Sequence, residues 1–305
     1  MFHALPVVVL GLLLSACGVI YQQEVREQTF RTSDTPKVVV DNVSGHLTVL
    51  PSTGSQVLVT VIEHGTGTSS EDAQAGLKAL QVELRQEKDT ITLTTRREGG
   101  NAARAWAEVE LKVPTGASLS LRTGDGHITT HGLSGALTLA TSQGSIQVDG
   151  DSHYLRAETR SGRISLNSGR AAQVEARTTN GEVLYTGALS GAEHVFETTS
   201  GNVTLSLPSD SAFRLEASTA AGRVEVDFPL VAENHGKEHV RGTVGHEPQA
   251  DITIRVTNGN IAVRPGESPH PPSDDDVSPE EKKGPGSRVP EPPEEEVRKP
   301  RRVSP

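Results

Sequence analysis

The chain has 305 residues, of which 34% are hydrophobic and only 3% are aromatic. So few aromatic side chains exclude an aromatic-rich lectin or a base-stacking platform, and a net charge of -10 disfavours contact with phosphate backbones. A nucleic-acid partner is therefore not expected. The single cysteine, Cys17, excludes an intramolecular disulfide framework and any zinc or iron–sulfur site built from several cysteines.

The first residues have the pattern of an export signal. An apolar stretch over residues 5–14 is shorter than the roughly 20 residues that a membrane-spanning helix needs. It is followed by a segment that resembles the lipobox of bacterial lipoproteins, formed by Leu14, Ser15, Ala16 and Cys17. The resemblance implies cleavage before Cys17, acylation of that cysteine with palmitate-type chains and stable membrane attachment. The residue after the cysteine is Gly18, whereas an Asp at that position would signal retention in the inner membrane. If the envelope has two membranes, the outer membrane is therefore favoured. The alternative is an uncleaved membrane helix that runs on to Ile20.

The body of the chain repeats with a period near 20 residues. Two clear copies, residues 119–130 and 137–148, share a Thr, two further residues, a Gly, and an aliphatic residue two positions after the Gly. Successive glycines between Gly126 and Gly222 are 18, 18, 19, 20 and 21 residues apart. The predicted turn glycines of all eight copies are Gly45, Gly126, Gly144, Gly162, Gly181, Gly201, Gly222 and Gly259.

Period-two alternation on both sides of each glycine predicts two short strands per copy. The regular repeat predicts an all-β fold: a single parallel β-solenoid or β-roll with coils of about 18–21 residues. An antiparallel sandwich or barrel has similar strand spacing and is the alternative. It would not require the same Thr-x-x-Gly frame in every second strand.

The repeat is interrupted between its first and second copies. Residues 70–80 predict one short helix, with Ser70 as N-cap, acidic residues in the first turn and apolar residues at 73, 77 and 80. Strands are expected at residues 82–84, 90–95 and 105–113. A helix near the N-terminal part could cover an open end of the solenoid, which would otherwise template aggregation.

Four segments are predicted from these patterns. They are a lipoprotein signal peptide (1–16), a lipidated N-terminus and linker (17–36), the β-solenoid (37–264) and a disordered tail (265–305). Residues 266–305 contain ten Pro, ten acidic and seven basic residues, a composition that cannot form a packed core.

Few residues carry recognisable chemistry. Histidines occur in two pairs, His127/His131 and His235/His239, with His246 close to the second pair. Residues four apart on a strand are about 13 Å apart, so we predict no metal site and no cofactor. The nucleophile-elbow, P-loop and His-Glu-x-x-His motifs are absent, and an enzyme is not predicted. Outer-face candidates for a carbohydrate-active enzyme are Asp149, Asp151, Arg160 and Arg163.

Residues 38–263 resemble a bacterial β-strand-repeat family described as candidate adhesins, a domain of unknown function. The resemblance rests on the approach through Pro114 to Leu119, the serial Thr-x-x-Gly-x-Ile copies and the insertion from Phe228 to Gly245. It implies an extracytoplasmic β-solenoid and brings no catalytic residues.

We therefore expect a lipid-anchored, non-enzymatic module for binding, adhesion, scaffolding or sensing in the cell envelope. Its expected partners are the membrane, through the anchor, and an envelope protein or glycan that the sequence does not identify. The alternatives are a self-assembling, bactofilin-like filament and a β-helix carbohydrate-active enzyme.

Overall fold

Alternation of apolar and polar residues produces strands along most of the chain, with the apolar side chains on the inner face. The computed structural model describes residues 7–16, 19–98, 105–191 and 193–266. The signal-peptide residues 1–6, Cys17 and the tail from residue 267 onward lie outside the described residues. All described residues belong to one structural unit, residues 1–269.

The N-terminal part contains eight strands and one helix. They are β1 (Val7–Ala16), β2 (Val19–Arg31), β3 (Lys37–Ser44), β4 (Leu47–Ser52), β5 (Gln56–Gly67), α1 (Ser70–Ala79), β6 (Leu80–Glu87), β7 (Thr90–Arg97) and β8 (Ala105–Pro114).

The repeat copies from Gly126 to Gly222 supply two strands each. They are β9 (Ser118–Asp125), β10 (Ile128–His131), β11 (Leu137–Gln143), β12 (Ile146–Asp149), β13 (Tyr154–Ser161), β14 (Ile164–Ala171), β15 (Gln173–Asn180), β16 (Val183–Leu189), β17 (Glu193–Ser200), β18 (Val203–Pro208), β19 (Phe213–Ala221) and β20 (Val224–Val226). The remaining strands are β21 (Leu230–His235), β22 (His239–Val244), β23 (Ala250–Asn258) and β24 (Ile261–Gly266).

These strands form two sheets of twelve. Sheet 1 has the order β1-β2-β5-β8-β4-β10-β12-β14-β16-β18-β24-β20, and sheet 2 the order β21-β22-β19-β23-β17-β15-β13-β11-β9-β3-β7-β6. The two strands of each copy lie in different sheets, so the chain alternates between sheets as it passes from coil to coil.

The predicted all-β class with one short helix is confirmed, but a single parallel solenoid is not, because both sheets are mixed. Strands of the repeat copies pair in parallel, whereas the pairing is antiparallel at both ends of sheet 2 and at the β1 end of sheet 1. Part of the reason is local connectivity, because β1 with β2, β6 with β7, and β21 with β22 are consecutive strands that the chain joins by reversing direction.

The core consists of identical or similar side chains stacked from coil to coil. Ile128 pairs with Ile146, and Ile146 pairs with Ile164, and all three side chains are fully buried. In-register parallel pairing places each inward residue over its counterpart one coil away. This geometry explains why small and medium aliphatic residues dominate and aromatic residues are scarce.

The last coil does not stack in sequence order. Strands β23 and β24, which carry Gly259, lie between the coil of Gly201 and the coil of Gly222. The other edge of β19 is occupied by the antiparallel strand β22, so the returning chain enters on the edge that remains.

Helix α1 covers the inner face of β5. Its N-cap is Ser69, whose hydroxyl accepts a hydrogen bond from the Asp72 amide, so the helix is capped one residue earlier than expected. The backbones meet closely, because a Cβ at Gly65 would lie 2.3 Å from the carbonyl oxygen of Ala73. The helix therefore depends on glycine in the strand beneath it.

Among residues 7–16, 19–98, 105–191 and 193–266, no helix has the length and apolar composition needed to cross a membrane.

Candidate binding groove

The repeat threonines and glycines bond one coil to the next. The Thr123 hydroxyl donates to the carbonyl oxygen of Gly45 at 3.0 Å, and Thr141 repeats the contact on Gly126 at the same distance. Four further pairs follow the same scheme, at 2.8 to 3.3 Å: Thr159 with Gly144, Thr178 with Gly162, Thr198 with Gly181, and Thr219 with Gly259. The Thr-x-x-Gly frame is thus a buried ladder of hydrogen bonds.

The predicted turn glycines lie where neighbouring backbones are closest. A Cβ at any of the eight would lie 1.9 to 2.1 Å from a carbonyl oxygen of the adjacent strand, which no side chain tolerates. Seven of them have φ between +121° and +159°, and Gly181 is the one of the eight outside that group. Close approach, more than the turn itself, therefore requires glycine here.

A row of mostly charged side chains crosses the outer face of sheet 2, next to this ladder. Asp41 pairs in register with Arg122, and the row continues through Ala140, Glu158, Arg177, Glu197 and Arg255. Ion pairs link its far end, since Arg177 Nε lies 2.9 Å from Glu197 Oε2 and Arg255 Nη1 lies 3.0 Å from Glu197 Oε1. One carboxylate is shared by two guanidinium groups.

The same face contains an open groove of about 860 Å³. Its lining includes the small residues Gly124, Ala140 and Ser142, and Ala140 lies in register between the long side chains of Arg122 and Glu158. The lining also includes Arg160, and both Arg122 and Arg160 are exposed and without an ion-pair partner in the part of the chain that the structure describes.

The groove lining differs from the rest of the molecule in charge. Four arginines and three carboxylates line it, whereas the whole chain carries a net charge of -10. Beside them, the hydroxyl groups of Ser142, Thr179, Thr199 and Thr257 form a second polar row. An arginine without a carboxylate partner can bind an anionic group in two-point geometry, and the hydroxyls can bond to polar groups along an extended ligand.

The structure separates the carbohydrate-active candidates. Asp149 is on β12 in sheet 1, where its carboxylate lies 3.1 Å from His131 Nδ1, whereas Arg160 is on β13 in sheet 2. Asp151 accepts a hydrogen bond from the Gly169 amide, and Arg163 pairs with Glu182 at 2.9 Å. Only Arg160 lines the groove.

The histidine pair His127/His131 is not brought together as a metal site. His127 stacks on His46, with ring centroids 5.0 Å apart, rather than facing His131. The side chain of His235 lies outside the description, His239 is half-buried on β22, and His246 is exposed. Within the described residues, no group of three His, Cys, Asp or Glu side chains could hold a metal ion.

Sequence reasoning missed the charged row, although a signal was present. Arg122, Glu158, Arg177, Glu197 and Arg255 each lie four residues before a repeat glycine. Because that offset is constant, in-register stacking places all of them in one line.

Comparison with protein families assigns most of the repeat region to a known family. The model of the Toastrack DUF4097 family matches residues 115–264. These residues form a Toastrack DUF4097 domain. The match begins just before β9 and includes every coil from Gly126 onward, so the Toastrack domain contains most of the groove lining.

Three solved structures that are similar to this chain have low sequence identity to it. A candidate cell adhesion protein from Clostridium sporogenes ATCC 15579 is 10% identical, covers 79% of this chain and 100% of its own, and has a TM-score of 0.37. A candidate adhesin from Bacteroides fragilis NCTC 9343 is 12% identical, with 78% and 96% coverage and a TM-score of 0.41. A candidate lipid-binding protein from Parabacteroides distasonis ATCC 8503 is 10% identical, with 79% and 97% coverage and a TM-score of 0.21. A search of curated proteins found no match.

Proposed function

We propose that this chain is a lipid-anchored, non-enzymatic binding module of the bacterial cell envelope that holds an acidic glycan in the groove of sheet 2. The observation that carries the proposal is that Arg122 and Arg160, which line the groove with Ala140, have no ion-pair partner among the described residues. Coils are about 4.8 Å apart, so the two guanidinium groups are spaced along an extended ligand rather than around a small one.

The chemistry of the groove supports a glycan over an apolar ligand. Arginines suit carboxylate groups, and the row of serine and threonine hydroxyls suits the hydroxyl groups of sugars. The lining is open and polar, which favours a chain that lies along the surface. Two of the four candidate residues for a carbohydrate-active enzyme, Asp149 and Arg160, lie in different sheets, which supports binding without turnover.

The anchor proposal rests on the sequence. Cleavage before Cys17 would remove β1, which in the structure pairs antiparallel with β2 and includes Leu14, Ser15 and Ala16. The mature protein would then begin at the acylated cysteine, with β2 as the edge strand of sheet 1. We propose attachment to the outer membrane where two membranes are present, and residues 265–305 as a free polar tail.

The glycan proposal is tested with the full-length Cys17→Ser chain, which avoids the lipid. Binding to fragments of uronic-acid-containing and neutral polysaccharides is measured by calorimetry. We expect binding to the acidic fragments only, and a loss of roughly tenfold or more in affinity for Arg122→Ala/Arg160→Ala, since a hydrogen bond to a charged group contributes about 1.5–3 kcal/mol.

Arg214→Ala is the matched control, because Arg214 is an exposed arginine of the same sheet that does not line the groove. Equal affinity of the double variant and the parent chain, or equal binding of neutral fragments, contradicts the proposed ligand. Release of the chain into the soluble fraction by Cys17→Ser tests the anchor separately.

A further inference from the structure

The outer face of sheet 1 presents apolar side chains close to the start of β2. Among the described residues, large hydrophobic side chains are exposed at Val19 (37%), Tyr21 (41%) and Val231 (75%). Two of these three lie within four residues of Cys17 in the sequence. The side chains of Val19 and Tyr21 point away from α1. Gln22, the next residue along β2, is on the opposite face, where its side-chain amide donates a hydrogen bond to the Ser70 hydroxyl on α1 at 2.8 Å.

An aromatic pair lies on the same face. Gln23 pairs in register with His64, and His64 pairs with Trp106, so these three side chains share one row across β2, β5 and β8. The rings of His64 and Trp106 stack with centroids 4.8 Å apart and an interplanar angle of 9°. Trp106 is the only tryptophan in the chain. We call Val19, Tyr21, Gln23, His64 and Trp106 the anchor-proximal face.

The outer face of sheet 1 carries more charged side chains in the rows further along β2 from Val19. None of the five residues that define the anchor-proximal face is a carboxylate, lysine or arginine, and burial lowers the pKa of His64 against the opposing effect of Glu108. The next row contains Glu108, 3.7 Å from His64 Nε2, and the row after it contains Glu27 and Glu110. An aromatic region without carboxylates therefore grades into rows that contain glutamates within about three rows of side chains.

We propose that the anchor-proximal face lies in the headgroup region of the bilayer to which the chain is attached. This inference rests on the proposed acylation of Cys17. Only Gly18 separates Cys17 from Val19, and two residues span at most about 7 Å, so the acyl chains hold this face at the bilayer surface. Tyr and Trp have apolar rings with a polar atom, which is the composition favoured at membrane–water interfaces. The acidic rows then face water.

The single tryptophan makes the test direct. The lipidated full-length chain is reconstituted into phosphatidylcholine vesicles, after its acylation has been verified by intact mass. Trp106 emission is then recorded with lipids brominated either near the headgroup or near the end of the acyl chain. We expect quenching by the shallow bromines and little by the deep ones, and weaker shallow quenching in Tyr21→Glu than in the matched Tyr21→Phe.

A second reporter distinguishes a local contact from a molecule lying flat. In Trp106→Phe/Leu184→Trp, the tryptophan is moved to the outer face of β16, on the same sheet but seven strands from β2. We expect no quenching at this position. Equal quenching of the two reporters overturns the proposed orientation.

The remaining outcomes also decide the matter. Acylated protein with an unquenched Trp106 refutes the membrane contact but leaves the anchor intact. A blue-shifted but unquenched Trp106 shows that a second copy covers the face, and it likewise overturns the proposal. Protein without acyl chains refutes the anchor itself, and with it this inference.

Discussion

His194 is a buried histidine in an otherwise aliphatic row of the core. On one side, the neighbouring coil contributes Val174, and on the other, His194 pairs in register with Ile252. Its side chain is fully buried, and neither ring nitrogen has a hydrogen-bond partner. Burial lowers the pKa of His194 to about 4, against the weaker opposing effect of Asp251. We predict that His194→Leu stabilises the protein, and more so in acid.

The magnitude follows from these two properties. An unsatisfied buried polar group costs about 1–3 kcal/mol. Replacing the His194 imidazole with leucine, which suits this aliphatic row, should therefore raise the free energy of unfolding by about that amount at pH 7.5. The pKa of 6.5 in the unfolded chain and about 4 in the folded one means that the unfolded state binds the proton more tightly. Stability is therefore lost as the pH falls from 6.5 to 4, by about 3 kcal/mol at about 1.4 kcal/mol per pKa unit.

The assay is urea unfolding of the full-length Cys17→Ser chain, followed by Trp106 fluorescence between pH 7.5 and pH 4. The free energy of unfolding is compared for the parent chain and for His194→Leu at each pH. We expect a difference of about 1–3 kcal/mol at pH 7.5 that widens by about 3 kcal/mol towards pH 4.

His246→Leu is the control, because His246 is an exposed loop histidine. Its free energy of unfolding should follow that of the parent chain at every pH. A difference between His194→Leu and the parent chain that stays constant from pH 7.5 to pH 4 would falsify the claim that the buried imidazole is neutral. A destabilised His194→Leu would show that the ring has a polar partner in the folded protein.

The remaining predictions concern the coil ladder and one buried acid. Gly144→Ala should unfold the domain or destabilise it by more than about 3 kcal/mol, because its Cβ would lie 2.0 Å from the Gly126 carbonyl oxygen. Gly54→Ala is the control: a Cβ there meets no atom within 4 Å, so this variant should lose only about 1–2 kcal/mol. Both are measured by thermal unfolding. Thr159→Val removes a 3.1 Å hydrogen bond and should cost about 1–3 kcal/mol in urea unfolding; a neutral effect contradicts the ladder's role. Burial raises the pKa of Glu63 to about 7, so the parent chain should lose stability as the pH rises from 4.5 to 7, and Glu63→Gln should remove that loss in the same titration. An unchanged slope would rule out a buried, proton-binding carboxyl group.

The sequence alone predicts the local structure of each coil accurately, because every coil must meet the same steric condition. At each repeat glycine a Cβ would lie about 2 Å from a carbonyl oxygen of the adjacent strand, and in six coils a threonine hydroxyl bonds to that same carbonyl. A requirement that recurs in space leaves a period in the sequence. The helix at Ser70–Ala79 and the strands that follow it are readable for a related reason, since capping and alternation are local patterns.

The order of the coils is decided only by the tertiary structure. Every coil presents the same edge, so the sequence contains no local signal that the coil of Gly259 belongs between those of Gly201 and Gly222. The antiparallel strand β22, which occupies the far edge of β19, makes that choice. The antiparallel pairing at both ends of sheet 2 and at the β1 end of sheet 1 likewise depends on connections that the periodic pattern does not contain.

The candidate site also has features that the sequence predicts and features that only the tertiary structure decides. The charged residues four positions before each glycine can be read from the sequence, and so can their common line. Which charges neutralise one another depends on which coils are neighbours: Arg255 reaches Glu197 only because the last coil is inserted there. Stacking likewise places Ala140 between Arg122 and Glu158, so these two charged residues are not neighbours in the row. A single coil specifies its own fold, but the groove exists only between coils, and their neighbours are fixed by the path of the whole chain.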